Sequence, residues 1–142
     1  MKIGKGTRVW KPELSNLSES AVCGENCVIH SHVWIGDRVT MGDNCKIQGF
    51  CYLPPGVRLG NDVFLGPRVT FTNDKHPPSN EILQTFVGDW VSVGAGAVIL
   101  PGITLGKGCT IGAGAVVTKD VPNFAIVVGN PARIVGSRMP PI

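Results

Sequence analysis

Large apolar residues return at every sixth position along most of this chain of 142 residues. Cys23, Ile29, Ile35, Met41, Ile47, Leu53, Leu59, Leu65 and Phe71 form one unbroken run, and the register resumes at Val87 through Val93, Ile99, Leu105, Ile111 and Val117. A second column stands two residues ahead of the first and holds small or β-branched residues: Ala21, Cys27, Val33, Val39, Cys45, Cys51, Val57, Val63 and Val69, then Thr85 to Ala115 after the interruption. A period of six is neither helical nor a simple hairpin alternation. Two apolar positions spaced by two put both side chains on one face of a short strand. Gly often follows the large residue, as at Gly24, Gly36, Gly42 and Gly60, and Gly or Asn supplies the positive φ of a turn. Three such strands close a triangular coil of about 18 residues, and coils stack at the inter-strand spacing of about 4.8 Å. The expected fold is an all-β parallel β-helix: a solenoid of roughly six coils in which each coil buries its apolar corners only against its neighbours.

This reading accounts for the five cysteines. Cys27, Cys45, Cys51 and Cys109 occupy the small column and Cys23 the large one, so all are expected to be packed side chains. The odd count argues against a disulfide scaffold, and no second pair completes a zinc site around Cys23 and Cys27. Thirteen basic residues are scattered, the net charge is +3, and aromatic residues make up 6%, which together leave no nucleic-acid footprint. The start, MKIGKGTRVW, has no apolar core of a signal peptide, and no apolar run reaches the length of a membrane span. The expectation is a cytoplasmic protein with no nucleic-acid or membrane partner, built as one β-helix domain over 1–136 with a tail at 137–142.

The count of six fails once. Val87 stands sixteen positions after Phe71, across the stretch FTNDKHPPSNEILQTF, so one hexad step leaves ten extra. A solenoid has flat faces and a full interior, so a site needs an excursion or a neighbouring subunit. The excursion, expected at about 72–86, carries Asn73, Asp74 and His76, and Pro77 and Pro78 keep it out of the ladder. Imidazole titrates near neutral pH, so His76 is the candidate general base; the alternative is an exposed loop histidine. Asn73 and Asp74 either cap a turn or contact substrate. His30 and His32 lie on a turn, as turn polarity or as an interface near a neighbour's site. Further along, GAGAV occurs twice, at 94–98 and 112–116, one coil apart. Small residues there let a long thin ligand lie against the backbone.

The stretches CGENCVIHSHVWIG, VFLGPRVTFTND and VVGNPARIVG, together with the hexad over nearly the whole chain, resemble the hexapeptide-repeat acyltransferases. Within that family these stretches look like the group that acetylates amino groups of nucleotide-linked sugars. The resemblance implies a left-handed helix, a homotrimer with sites between subunits, and acetyl-CoA as cosubstrate with no metal. It also implies residue roles: Ala95 and Ala113 along the pantetheine arm, Thr118, Lys119 and Arg133 around the nucleotide end, and Asn73, Asp74, His30 and His32 toward the acceptor. His76-Pro77 matches by position the catalytic His-Pro of the branch that acylates sugar hydroxyls.

Three rivals stand beside the amine reading. The first is O-acetylation of a sugar or serine hydroxyl with His76 as base. The second is a zinc site on His30, His32 and His76. The third is a non-catalytic hexapeptide scaffold. Trp10, Trp34 and Trp90 are candidates for stacking on a nucleobase, with packing the expected role of each.

Overall fold

The computed structural model describes residues 1–138; the end of the expected tail, 139–142, lies outside the described residues. Nearly all strands are two residues long, and they assemble into three sheets of six, eight and six strands. The first face runs from Lys2–Ile3 to Thr104–Leu105, the second from Arg8–Val9 to Arg133–Ser137, and the third from Asn16–Leu17 to Val116–Val117. Every pairing between successive coils is parallel, and only the closing pair, Ala125–Val128 with Arg133–Ser137, is antiparallel. Six complete coils are therefore followed by a partial seventh, and the last strand runs one residue past the expected domain end at 136.

The register states the insertions directly. Val28 pairs with Lys46, the regular eighteen residues apart. Arg8 pairs with Val28, two residues further than the rule, because the turn between Val9 and Asn16 contains a short 3-10 segment, Pro12–Leu14. Val57 pairs with Thr85, ten beyond the rule, so the chain leaves the ladder after Phe71 and rejoins it at Thr85. The excursion thus spans 72–84, and the last two residues assigned to it from sequence belong to the strand Thr85–Val87.

Both hexad columns point inward. The five cysteines are buried free thiols, and Ile29, Ile35, Ile47, Leu53, Leu65, Phe71, Ile99 and Leu105 are fully enclosed. Burial pushes the Cys51 thiol up to about 11 and the Cys109 thiol up to about 12, which keeps both neutral at physiological pH. Cys27 and Cys45 donate to the carbonyls of Gly42 and Gly60, each at 3.2 Å. Three corners join the faces. The first corner, between the first and second faces, is stitched by side chains that accept from the coil below. Asp43 accepts from the Glu25 amide, Asn61 from Asp43, and Asp89 from Asn61, all at 2.8 Å. No helix among the described residues is long and apolar enough to cross a membrane.

Candidate functional site

The excursion sits at the third corner, where the third face turns into the first, and its base is pinned to the coils on both sides. Thr72 donates its hydroxyl to the Ile99 carbonyl at 2.9 Å, toward the coil above. Asn73 donates its side-chain amide to the Pro55 carbonyl at 2.9 Å, toward the coil below. The Leu83 amide closes the loop on the Asn73 carbonyl at 2.8 Å, and the Thr85 amide donates to Gly56 at 2.9 Å. Gly56 has φ +103°, and a Cβ there would stand 2.8 Å from the Leu83 carbonyl oxygen, so both the backbone and the space require glycine.

Asp74 organises the loop tip. One carboxylate oxygen accepts from the His76 amide at 3.1 Å and from the Ser79 hydroxyl at 2.5 Å; the other accepts from the Ser79 amide at 2.8 Å. The Ser79 side chain and amide, with the His76 amide, hold the carboxyl below the usual aspartate range. Of the two sequence expectations for Asp74, turn capping is the contact made. His76 itself is exposed between Lys75 and Pro77, and the Pro77–Pro78 peptide is cis.

Against this loop lies a cleft of about 540 Å³, walled by Tyr52, Thr72, Asn73, Asp74, Lys75, Pro77, Leu100, Pro101 and Thr118. The His76 ring is not part of that wall. Thr118 also borders a smaller cavity of about 190 Å³ at the end of the prism, where Lys119 and Arg133 meet Asp120, Val121, Pro122 and Ala132. The structure therefore brings together Asn73, Asp74 and Thr118 in one wall and Thr118, Lys119 and Arg133 in the next.

Ala95 and Ala113 are elsewhere. They stand at the second corner, between the second and third faces, with the Gly114 amide donating to the Ala95 carbonyl at 2.8 Å. Beside them Gly96 (φ +72°) and Gly114 (φ +70°) have no atom within 4 Å of where a Cβ would be, so this stretch of the corner is an open trough. His30 and His32 lie on the same corner nearer the amino terminus. The His30 amide donates to the Ile47 carbonyl at 2.9 Å, and the His32 ring stacks on Phe50 with centroids 4.8 Å apart. The loop and the trough thus occupy opposite edges of the third face. Two histidines at one corner and the third at another do not converge, and the described residues contain no group of three or more His, Cys, Asp or Glu able to hold a metal.

The sequence reading missed Tyr52, Thr72 and Lys75 in the cleft wall. Tyr52 is the outward neighbour of Leu53 and stacks on Trp34 at 5.0 Å. It could have been found by counting eighteen back from Thr70, the residue that leads into the loop. Of the other tryptophans, Trp90 lies under the Lys107 ammonium at 4.7 Å, and Trp10, half exposed, has the Arg8 guanidinium 5.8 Å away.

The pattern of the bacterial transferase hexapeptide family, six repeats long, matches residues 38–73 and 85–119 and skips residues 74–84 of the excursion. The chain belongs to this family. It is 36% identical to the galactoside O-acetyltransferase of Lactococcus lactis over 94% of its own length and 61% of that protein. It is also 36% identical to the galactoside O-acetyltransferase of Escherichia coli, over 81% of this chain and 63% of the relative. The chain spans less than two thirds of the length of these curated relatives. Among solved structures, PerB from Caulobacter crescentus, in complex with CoA and GDP-perosamine, is 29% identical with a TM-score of 0.77, over 87% of this chain and 55% of PerB. AntD, an N-acyltransferase from Bacillus cereus, shares the fold at 19% identity and a TM-score of 0.85, over 97% of this chain and 83% of AntD.

Proposed function

We propose that the chain is an acetyltransferase that moves the acetyl group of acetyl-CoA to the amino group of a nucleotide-linked amino sugar. The reading rests on the two halves of the site standing at opposite edges of one face. The open trough along Ala95, Gly96, Ala113 and Gly114 suits a pantetheine arm, whose amides can pair with turn backbone. The loop cleft, walled by Lys75 and Pro77 on either side of His76 in the chain, suits the acceptor. One prism cannot close these on each other. Three prisms in a ring, each turning its third face to the axis, set the loop cleft of one, which reaches up to Pro101 and Thr118 in the next two coils, beside the trough of its neighbour in those same coils, because a cyclic operation about an axis along the prism adds no translation. The homotrimer with sites between subunits is part of the proposal.

The acceptor nitrogen attacks the thioester carbonyl, the C–N bond forms, and the C–S bond breaks as the tetrahedral intermediate collapses. The nitrogen proton passes to His76 or to water, and the CoA thiolate takes up a proton. We assign the CoA phosphates to Lys119 and Arg133, which line the cavity at the end of the prism. PerB, solved with CoA and GDP-perosamine, supports this pairing of ligands.

A second reading is favoured by Asp74. Its carboxylate already accepts three hydrogen bonds from donors of its own loop, which satisfy most of its capacity without an ammonium group. A neutral hydroxyl acceptor suits such a cleft, as the two galactoside O-acetyltransferases suggest. His76→Ala separates the readings. A hydroxyl must lose its proton to a base, so the variant should lose nearly all activity; an amine that arrives neutral tolerates the change better. The transferase reading itself is tested first by thermal unfolding with CoA. At a hundred times the dissociation constant the native state should gain about 2.7 kcal/mol. Absence of any shift would sink it in favour of a scaffold.

A further inference from the structure

The second corner differs from the other two in charge. Its five turns from 30 to 115, at 30–33, 48–51, 66–69, 94–97 and 112–115, contain no acidic residue, and Arg68 is their one fixed cation. Nine of the chain's ten carboxylates stand at the first and third corners, and the tenth, Glu13, lies in the turn below. Along this acid-free edge, positions eighteen apart stack. The rings of His32 and Phe50 are 4.8 Å apart at an interplanar angle of 11°, and the Arg68 guanidinium carbon lies 5.0 Å from the Phe50 centroid. All three hold left-handed backbone, at φ 61°, 64° and 62°, which points their side chains out of the corner one above another. The column then continues as bare Gly96 and Gly114. Side chains thus fill the lower half of the edge and backbone alone forms the upper half.

Arg68 also precedes Thr70–Phe71, the strand that runs straight into the loop. The cation and the loop are the two ends of one strand, at one height. In the ring described above, the Arg68 of one subunit faces the loop of the next.

We infer that the His32–Phe50–Arg68 stack is a phosphate-binding subsite for the acceptor, contributed to each cleft by the neighbouring subunit. The inference rests on the transferase reading, and it fixes the acceptor class as one that bears phosphate. A guanidinium over the face of an aromatic ring keeps N–H groups for a bidentate pair with phosphate oxygens, and the cation–π contact of Arg68 with Phe50, at 5.0 Å, favours its position there. No carboxylate of the same chain stands on this corner at the height of Arg68 or above it; Glu13 lies at its foot, bordering the groove with His32 and Phe50. CoA carries phosphates too, so the experiment separates the two sources.

GDP, UDP and dTDP are titrated calorimetrically into the full-length protein saturated with CoA. At least one should bind, and Arg68→Ala should weaken that binding by about tenfold or more, as expected for loss of a charge-assisted bidentate pair. Arg58→Ala, which removes the same charge from the first face, should leave it unchanged, and the dissociation constant of CoA should stay within about twofold in both variants. The inference is overturned if Arg68→Ala binds the nucleotides as the parent does. Equal weakening of CoA would overturn it as well, since the stack would then hold the cofactor. Failure of the protein to bind CoA at all is a different result: it removes the transferase reading, and the same titrations on the unloaded protein still judge the stack. No nucleotide binding in either state ends the proposal.

Discussion

Thr85 puts a hydroxyl where the inward column otherwise offers alanine, valine, cysteine or isoleucine. The residue is 1% exposed, and its Oγ1 has no hydrogen-bond partner. A buried hydroxyl without a partner keeps its full desolvation cost, so Thr85→Val, nearly the same shape, should stabilise the protein by about 1 kcal/mol. Urea unfolding checks this through a raised midpoint at unchanged slope. A lowered midpoint would mean that the hydroxyl finds a partner after all. The same column shows how much a residue's place in a repeat can reveal. Cys27, Cys45 and Cys51 announced their burial because inward positions recur with a fixed count, and period alone decides the face. Arg68 and Phe50 did not announce their contact. They obey the same eighteen-residue spacing, but outward side chains choose partners by shape and charge rather than by exclusion from water.

At the scale of the element, the loop is the part of the fold that no repeat dictates. Its position and its ten extra residues followed from the lost count, and its polar content followed from Asn73, Asp74 and His76. What the count could not supply was the direction of Asp74, because the contact with Ser79 is a local geometry with no second copy in the chain. The clasp has a pH dependence with a definite sign. Its donors favour the charged carboxylate and lower the folded pKa, so the stabilisation is complete above the ordinary aspartate value of about 3.9 and is lost as pH falls through the lowered one. Amide protection at His76 and Ser79, taken relative to the unstructured rate at each pH, should therefore persist at pH 5 and fall only in stronger acid. Asp74→Ala should show fast exchange at both amides at neutral pH while the melting of the prism is unchanged. Slow exchange in that variant would show that the pins at Thr72 and Asn73 order the tip unaided.

At the scale of the molecule, the three faces divide the work unequally. The first corner is tied coil to coil by its Asp and Asn side chains. The third face ends at one edge in the loop and at the other in the trough, and in the proposed ring these meet between copies. That asymmetry makes the assembly testable through mixing. His76→Ala damages only the loop side of a cleft. Gly114→Trp damages only the trough side, where the parent has open space. Each homotrimer should be inactive, the first under the base role of His76. In a trimer of mixed composition, one of the three clefts pairs an intact loop with an intact trough, whichever variant is in the majority. Random co-assembly of equal amounts should then recover about a quarter of the parent activity, against none in the unmixed pools. Each variant's own mass, measured by light scattering, must be three times 15.0 kDa for the comparison to hold. Activity absent from verified mixed trimers would place both halves of the site on one chain and remove the ring from the mechanism.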